Sequence, residues 1–392
     1  MADALRADQR QTRAGRFLAP IGGLIALVVL VLGIRLLADP LAGQHLLANI
    51  YDFFGNEAAA DALRRNQGSD VLYARLLAVV MALVIGVGGV WLLYTGLSAL
   101  VGLGSPKMQA RIIPWIFILP ALALLTIYLV YPTLGTIWAS FTVGTNGDPL
   151  RHYLYVFTTR DFHRIFINNA LWLIVGTAGS VGLGLLIAGM VDRVRREALA
   201  KTFIFLPLAI SLVGASVIWG FVYQWRPPGQ PQYGMLNAAW TALGGQPVPW
   251  IQTPPINTFA LIIIMVWLQT GFAMVVLSAA IKGVSIEVME AARLDGASER
   301  QIFFRVIVPI IKGSIITVAT TIAIAILKIF DIVFVMTGGF FQTDVVANRM
   351  FLEKFQFFND GRAAALAVIL FVAVLPLMFV NLRSLRKQGV GA

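Results

Sequence analysis

The chain has 392 residues, 58% of them hydrophobic and 12% charged, with a mean hydropathy of +0.81. A soluble domain is about one quarter charged, so these figures exclude a soluble globular protein and point to helices that satisfy their own backbone in lipid. The absence of cysteine excludes disulfides and Cys-ligated metal centres. His45, His152 and His163 are too scattered for a metal set, and the net charge of +11 is spread by membrane topology rather than gathered on a face for nucleic acid.

Eight apolar segments follow, each near or above the ~20 residues that cross the hydrocarbon core. They are 17–38, 72–102, 112–141, 165–190, 202–225, 256–281, 311–336 and 362–382. The first is a span rather than a signal peptide, because its apolar stretch exceeds the usual length and Arg35 interrupts its end. A polar loop with room for a short helix, 39–71, separates the first two. The alternate loops 39–71, 142–164, 226–255 and 337–361 hold 8 Lys and Arg, whereas the N-terminus to 16, 103–111, 191–201, 282–312 and the tail from 383 hold 18. Positive residues stay on the cytoplasmic side, so both termini and 282–312 are expected in the cytoplasm. The stretch "QWRPPGQPQYG" (224–234) is a Pro/Gly loop at an outside end. Arg35 and Arg75 are expected to snorkel to the interface. Tyr223, Trp225 and Trp267 either line a path or mark the interfacial belt.

Chemistry for an enzyme or a motor is missing. No lysine follows a glycine, so there is no Gly-Lys-Ser/Thr phosphate loop. There is no His-Glu-x-x-His and no Gly-x-Ser-x-Gly either. The chain is expected not to be an enzyme.

One polar stretch interrupts the apolar pattern: "EAARLDGASERQIFFRVIVP", with six charged residues between Glu290 and Arg305. Ser285 is expected to cap a short helix that Gly296 ends in a left-handed turn. Ser298 caps a second helix, and Gln301 completes a capping box. Ile302, Phe303, Val306 and Ile307 share its apolar face, and Pro309 stops or kinks it. Ala291 and Ala292 leave a smooth patch for a close backbone approach. The pattern fits a helix–turn–helix docking into a partner's groove, and equally an amphipathic loop resting on lipid.

The spacing Glu290-Ala291-Ala292, Gly296, then Val306-Ile307-Val308-Pro309 resembles the EAA loop of ABC importer permeases. Val stands here for the usual Ile and Leu, which keeps the apolar character. Further stretches resemble the maltose-type, or alpha-glucoside, sugar permeases: "FILPALALLTIYLVYPTLGTIWASF" (117–141), "KTFIFLPLAISLVGASVIWGFVY" (201–223), "YGMLN" (233–237), "LKIFDIVFVMTGG" (327–339) and "FNDGRAAALAVILF" (358–371). The resemblance implies an all-α polytopic fold of about eight helices in a bacterial or archaeal cytoplasmic membrane. A permease domain at 112–385, with its coupling loop at 282–309, would follow an N-terminal extension of two helices at 1–111. Loop 142–164 lacks the large insertion of the maltose-type subunit, so any grip on a binding protein supplied there is not expected.

The resemblance also implies partners. They are a second permease subunit, two ATPase subunits that use ATP and magnesium, and an extracytoplasmic solute-binding protein. No cofactor is expected on this chain. Glu290 would be the polar contact to the ATPase, Ala291 and Ala292 the packing surface, Gly296 the turn and Pro309 the end of the loop. Sugar contacts in the family fall near "WLQTGF" (267–272), which carries Gln269 and Phe272 one turn apart. Ser211, Lys328 and Asp331 are further candidates, as polar residues within spans. Interhelical hydrogen bonding accounts equally well for Gln269 and Ser211. Lys328 and Asp331, three apart, are expected to form an ion pair. A secondary transporter is the alternative. It would need an inverted repeat, which is not evident, and a coupling acid, for which only Asp331 is placed.

Overall fold

The structure is a computed structural model that describes residues 105–387, except 193, and isolated helical positions between 45 and 101. The expected spans 17–38 and 72–102, Arg35 and Arg75 therefore lie outside the described residues, apart from those isolated positions. The chain divides into two compact units, Met1–Pro132 and Thr133–Ala392.

In the first unit, α1 (Pro106–Leu125) starts where Ser105 Oγ accepts from Met108 N at 3.4 Å. A π-turn at Thr126–Val130 leads into α2 (Tyr131–Thr142), which belongs to the second unit from Thr133 onward. The side chains of Leu124, Ile127, Tyr128 and Leu129 are exposed, as suits a surface bathed in lipid.

The second unit is built around α9 (Ile256–Lys282), whose Leu261, Ile264, Met274 and Leu277 are fully buried. Before it come α3 (Arg151–Thr158), α4 (Arg160–Leu171) and, after a π-turn at Trp172–Gly176, α5 (Thr177–Val191). Then follow α6 (Glu197–Phe205), α7 (Leu212–Val222) and α8 (Met235–Ala242). After α9 come α10 (Ile286–Leu294), α11 (Glu299–Ile310), α12 (Lys312–Leu327), α13 (Asp331–Met336), α14 (Val346–Phe355) and α15 (Asp360–Lys387). The tightest seam is between α5 and α9. A Cβ on Gly184 would lie 2.5 Å from Ala273 Cβ and 2.9 Å from Met274 N, so only glycine admits the approach.

Among the described residues, 110–142, 160–191, 256–282 and 360–383 are long and apolar enough to cross a membrane. Two bent pairs raise the number to six. The four fall on the spans expected at 112–141, 165–190, 256–281 and 362–382, and the other two expected spans are corrected. The span expected at 202–225 is broken by a 102° bend. Pro207 sits in a 3-10 turn there, and Ser211 starts a new helix by accepting from Gly214 N at 3.0 Å. The span expected at 311–336 is interrupted at 328–330, where Phe330 leaves helical geometry at φ −132°. A 72° bend after Ile310 also separates α11 from α12, one residue beyond Pro309.

Two groups of polar contacts mark the second unit. At one end Asn168 Nδ2 donates to Gln342 O, Asn257 Nδ2 donates to Phe341 O, and Arg362 lies over the Tyr155 ring. At the other, Lys282 Nζ pairs with Glu197 at 2.5 Å. Lys201 pairs with Asp192 at 2.8 Å, and Asp192 accepts from Ser278 Oγ at 2.6 Å.

Candidate functional site

The polar stretch folds as a helix–turn–helix at the Lys282 end. Ser285 occupies the N-cap of α10, but its hydroxyl donates to Glu287 Oε2 at 2.5 Å instead of accepting from the backbone. This corrects the expected cap, and the same bond holds the Glu287 carboxyl below its usual range. Gly296 turns the chain at φ +81°, a region costly for any other residue. Ser298 and Gln301 close the expected capping box: the Gln301 amide oxygen accepts from Ser298 N at 2.8 Å, and Ser298 Oγ accepts from Gln301 N. An Arg293–Glu299 pair at 2.9 Å bridges the two helices and raises the guanidinium pKa.

The inner face of this motif is dry. Ile302 and Ile307 are buried with Val284 and Ile311, and Phe303, Val306, Met289 and Ala292 pack against them. Residues 302–307 form a π-turn inside α11 where regular helix was expected. The outer face is left bare. Glu290, Ala291 and Gly296 are exposed, beside Ile286, Val288 and an 88%-exposed Leu294. Apolar side chains shown to water around a small-residue patch make an exposed apolar surface; the sequence reading singled out neither Leu294, which lies within the quoted stretch, nor Ile286, which precedes it. Pro309 is exposed at the end of α11.

The residues expected to meet solute are distributed over neighbouring elements. Gln269 and Phe272 lie half-buried on α9, and the Gln269 amide has no hydrogen-bond partner among the described residues. Ser211 spends its hydroxyl on the cap of α7. The helix it starts packs along α13, which Asp331 opens. Lys328 and Asp331 are not paired with each other, which corrects the expected ion pair; the helix break between them removes the i,i+3 geometry. Lys328 instead borders a largely apolar cavity of about 550 Å³ with Phe330, Phe351 and Phe371. Tyr223 is buried, its hydroxyl donating to Ala260 O at 2.9 Å, so it packs the core and does not line a path. Trp267 is edge-on to Trp219 at 5.8 Å.

Bent and interrupted apolar helices with a surface-displayed helix–turn–helix describe a multi-span membrane protein. Residues 180–387 match the profile of the binding-protein-dependent transport system inner membrane component, and the chain belongs to that family. It is 50% identical over 274 residues to the osmoprotective compounds uptake permease protein GgtC of Synechocystis sp., covering 69% of this chain and 98% of that one. It is 47% identical over 288 residues to the alpha-glucoside transport system permease protein AglF of Rhizobium meliloti, covering 73% and 86%. In fold it is similar to a chain of the bacterial alginate ABC transporter solved with an alginate pentasaccharide-bound periplasmic protein. That match has a TM-score of 0.62 at 21% identity, over 73% of this chain and 98% of that one. The relatives are permease subunits, so the chain is a non-enzymatic membrane component of a transport system with further subunits.

Proposed function

We propose that the chain is the transmembrane subunit of an ATP-driven importer for a di- or oligosaccharide of the alpha-glucoside kind, with residues 112–385 as the permease domain. Half of the translocation path belongs to this chain and half to a sister permease. Two ATPase subunits bind ATP and magnesium and receive the 282–309 loop. A solute-binding protein delivers sugar at the end where 142–164, 226–255 and 337–361 meet. In this reading both termini and the loop are cytoplasmic. The observation that carries it is the bare face of α10, where Glu290, Ala291 and Leu294 have no cover among the described residues.

Closing of the ATPase pair pulls two such loops together, and the rigid link from α11 through the 72° bend to α12 turns that motion into a change of access. Glu290 supplies the polar contact, Ala291 and Ala292 the close-packing surface, Gly296 the turn, and Pro309 the stiff end. Gln269, Phe272, Ser211, Lys328 and Asp331 line the solute's route, with free amide and charged groups for hydroxyls and aromatic faces for sugar rings. Relatedness at 50% to a permease for osmoprotective compounds supports a second reading, a polyol conjugate as solute.

The test is uptake and ATP hydrolysis in the reconstituted importer. Glu290→Lys and Gly296→Pro are expected to leave the subunit in the membrane while ATP hydrolysis no longer drives uptake. Wild-type uptake in both would refute the coupling role. Competition between maltose and a glycosyl polyol for uptake decides between the two solutes.

A further inference from the structure

One buried amide holds both ends of the segment that carries Lys328 and Asp331, two of the proposed solute contacts. The break at 328–330 leaves the last carbonyls of α12 without helical partners, and the start of α14 leaves N–H groups in the same state. Asn169, only 7% exposed near the end of α4, serves both. Its Nδ2 donates to Leu327 O at 3.3 Å, the last residue of α12. Its Oδ1 accepts from Val346 N at 2.7 Å, the first residue of α14.

Only a short amide fits both bonds. A carboxylate has no hydrogen to give Leu327, a hydrocarbon leaves two buried groups unpaired, and glutamine's extra methylene displaces the head. The neighbouring Asn168 Nδ2 donates to Gln342 O at 2.7 Å and Asp344 O at 2.8 Å. Asn257 adds a bond to Phe341 O at 2.7 Å. These loop contacts hold a stretch in which Gly338, Gly339, Phe341 and Gln342 all have positive φ. The bond at Leu327 differs in kind, because it reaches the last residue of α12, directly before Lys328, Phe330 and Asp331.

We infer that Asn169 is a positioning residue for solute recognition: its amide sets the helix break and so the placement of Lys328 and Asp331, through a bond separable from its anchoring of α14. The inference rests on the proposed role of Lys328 and Asp331 in solute contact. It assigns a specific task to a residue that touches neither solute nor the coupling loop.

The experiment uses the complete importer in proteoliposomes, with radiolabelled maltose and trehalose as probes. The chain has no cysteine, so Val335→Cys, on the exposed side of α13, gives this chain a single thiol for maleimide, read on its own gel band. Asn169→Ala removes both bonds, whereas Asn169→Asp keeps the acceptor for Val346 and loses the donor to Leu327. Both are expected to raise the apparent KM for sugar about tenfold, keep the maximal rate within twofold, and speed labelling of Val335→Cys at least fivefold without sugar. Asn168→Ala, a loop-only change, is expected to lower thermal stability with KM unchanged. An Asn169→Asp protein with wild-type KM and labelling overturns the inference, as does an equal rise of KM in Asn168→Ala. If Lys328→Ala and Asp331→Ala keep a wild-type KM while both Asn169 variants alter KM and labelling, the positioning by Asn169 stands and the solute-contact reading of those two residues falls.

Discussion

At the scale of single residues, Asp344 shows how burial outweighs nearby partners. Its carboxylate accepts from Asn348 Nδ2 at 2.7 Å and from Val345 N at 2.9 Å, with Arg349 at 3.9 Å. Burial nevertheless pushes its pKa from 3.8 up to about 6, helped by the charge of Glu353. The folded chain therefore holds this proton more tightly than the unfolded chain between those values. The resulting stability is complete below the unfolded value and is lost as pH rises through about 6. Detergent-solubilised protein is expected to have a lower Tm at pH 7.5 than at pH 5, and Asp344→Asn to flatten that drop. An unaltered pH profile in the variant would show that the site is wetter than its packing implies. Glu353 beside it is fully buried and pairs with Arg349 and Arg362 at 3.1 and 3.0 Å.

At the scale of elements, helix contacts depend on glycine and on satisfied breaks. The α5–α9 seam closes on Gly184, and α9 meets the backbone of Ile204 and Phe205 at Gly271. Overpacking a tight contact costs roughly 1–3 kcal/mol. Gly184→Val is expected to reduce the thermal stability of the purified subunit, whereas Gly182→Val, where an added Cβ meets nothing within 4 Å, is expected to be nearly silent. Scanning fluorimetry of the two variants compares them directly. Asn237 does for the loop around α8 what Asn169 does for the break: buried, it bonds Gln224 O, Val248 O, Val248 N and Trp250 Nε1. Polar side chains that supply missing backbone partners allow irregular chain at the edge of a membrane.

At the scale of the whole molecule, the two ends are chemically distinct. One holds the loop network of Asn168, Asn257 and Arg362, the other the exposed α10 face. The 274-residue match accounts for 98% of the Synechocystis relative but leaves about a third of this chain unmatched. A chain lacking residues 1–104 is accordingly expected to assemble and to retain sugar uptake within a fewfold of the full-length level. Loss of assembly on truncation, seen by co-purification of the ATPase, would instead make the extension part of the permease.

The sequence by itself determined the membrane class, the four unbroken spans near 112–141, 165–190, 256–281 and 362–382, and the turn and capping box of the 282–309 motif. Those features follow from hydropathy and local backbone chemistry, which need no partner distant in sequence. Tertiary structure decided where spans break. At 206–211 the proline and the serine cap were legible, but the 102° bend depends on α6 and its 3-10 turn seating against α9. At 328–330 nothing local announces the interruption. It is compensated by Asn169, whose partner Leu327 lies 158 positions away, and hydropathy carries no trace of such a bond. The same break separated Lys328 from Asp331, which spacing alone would have paired.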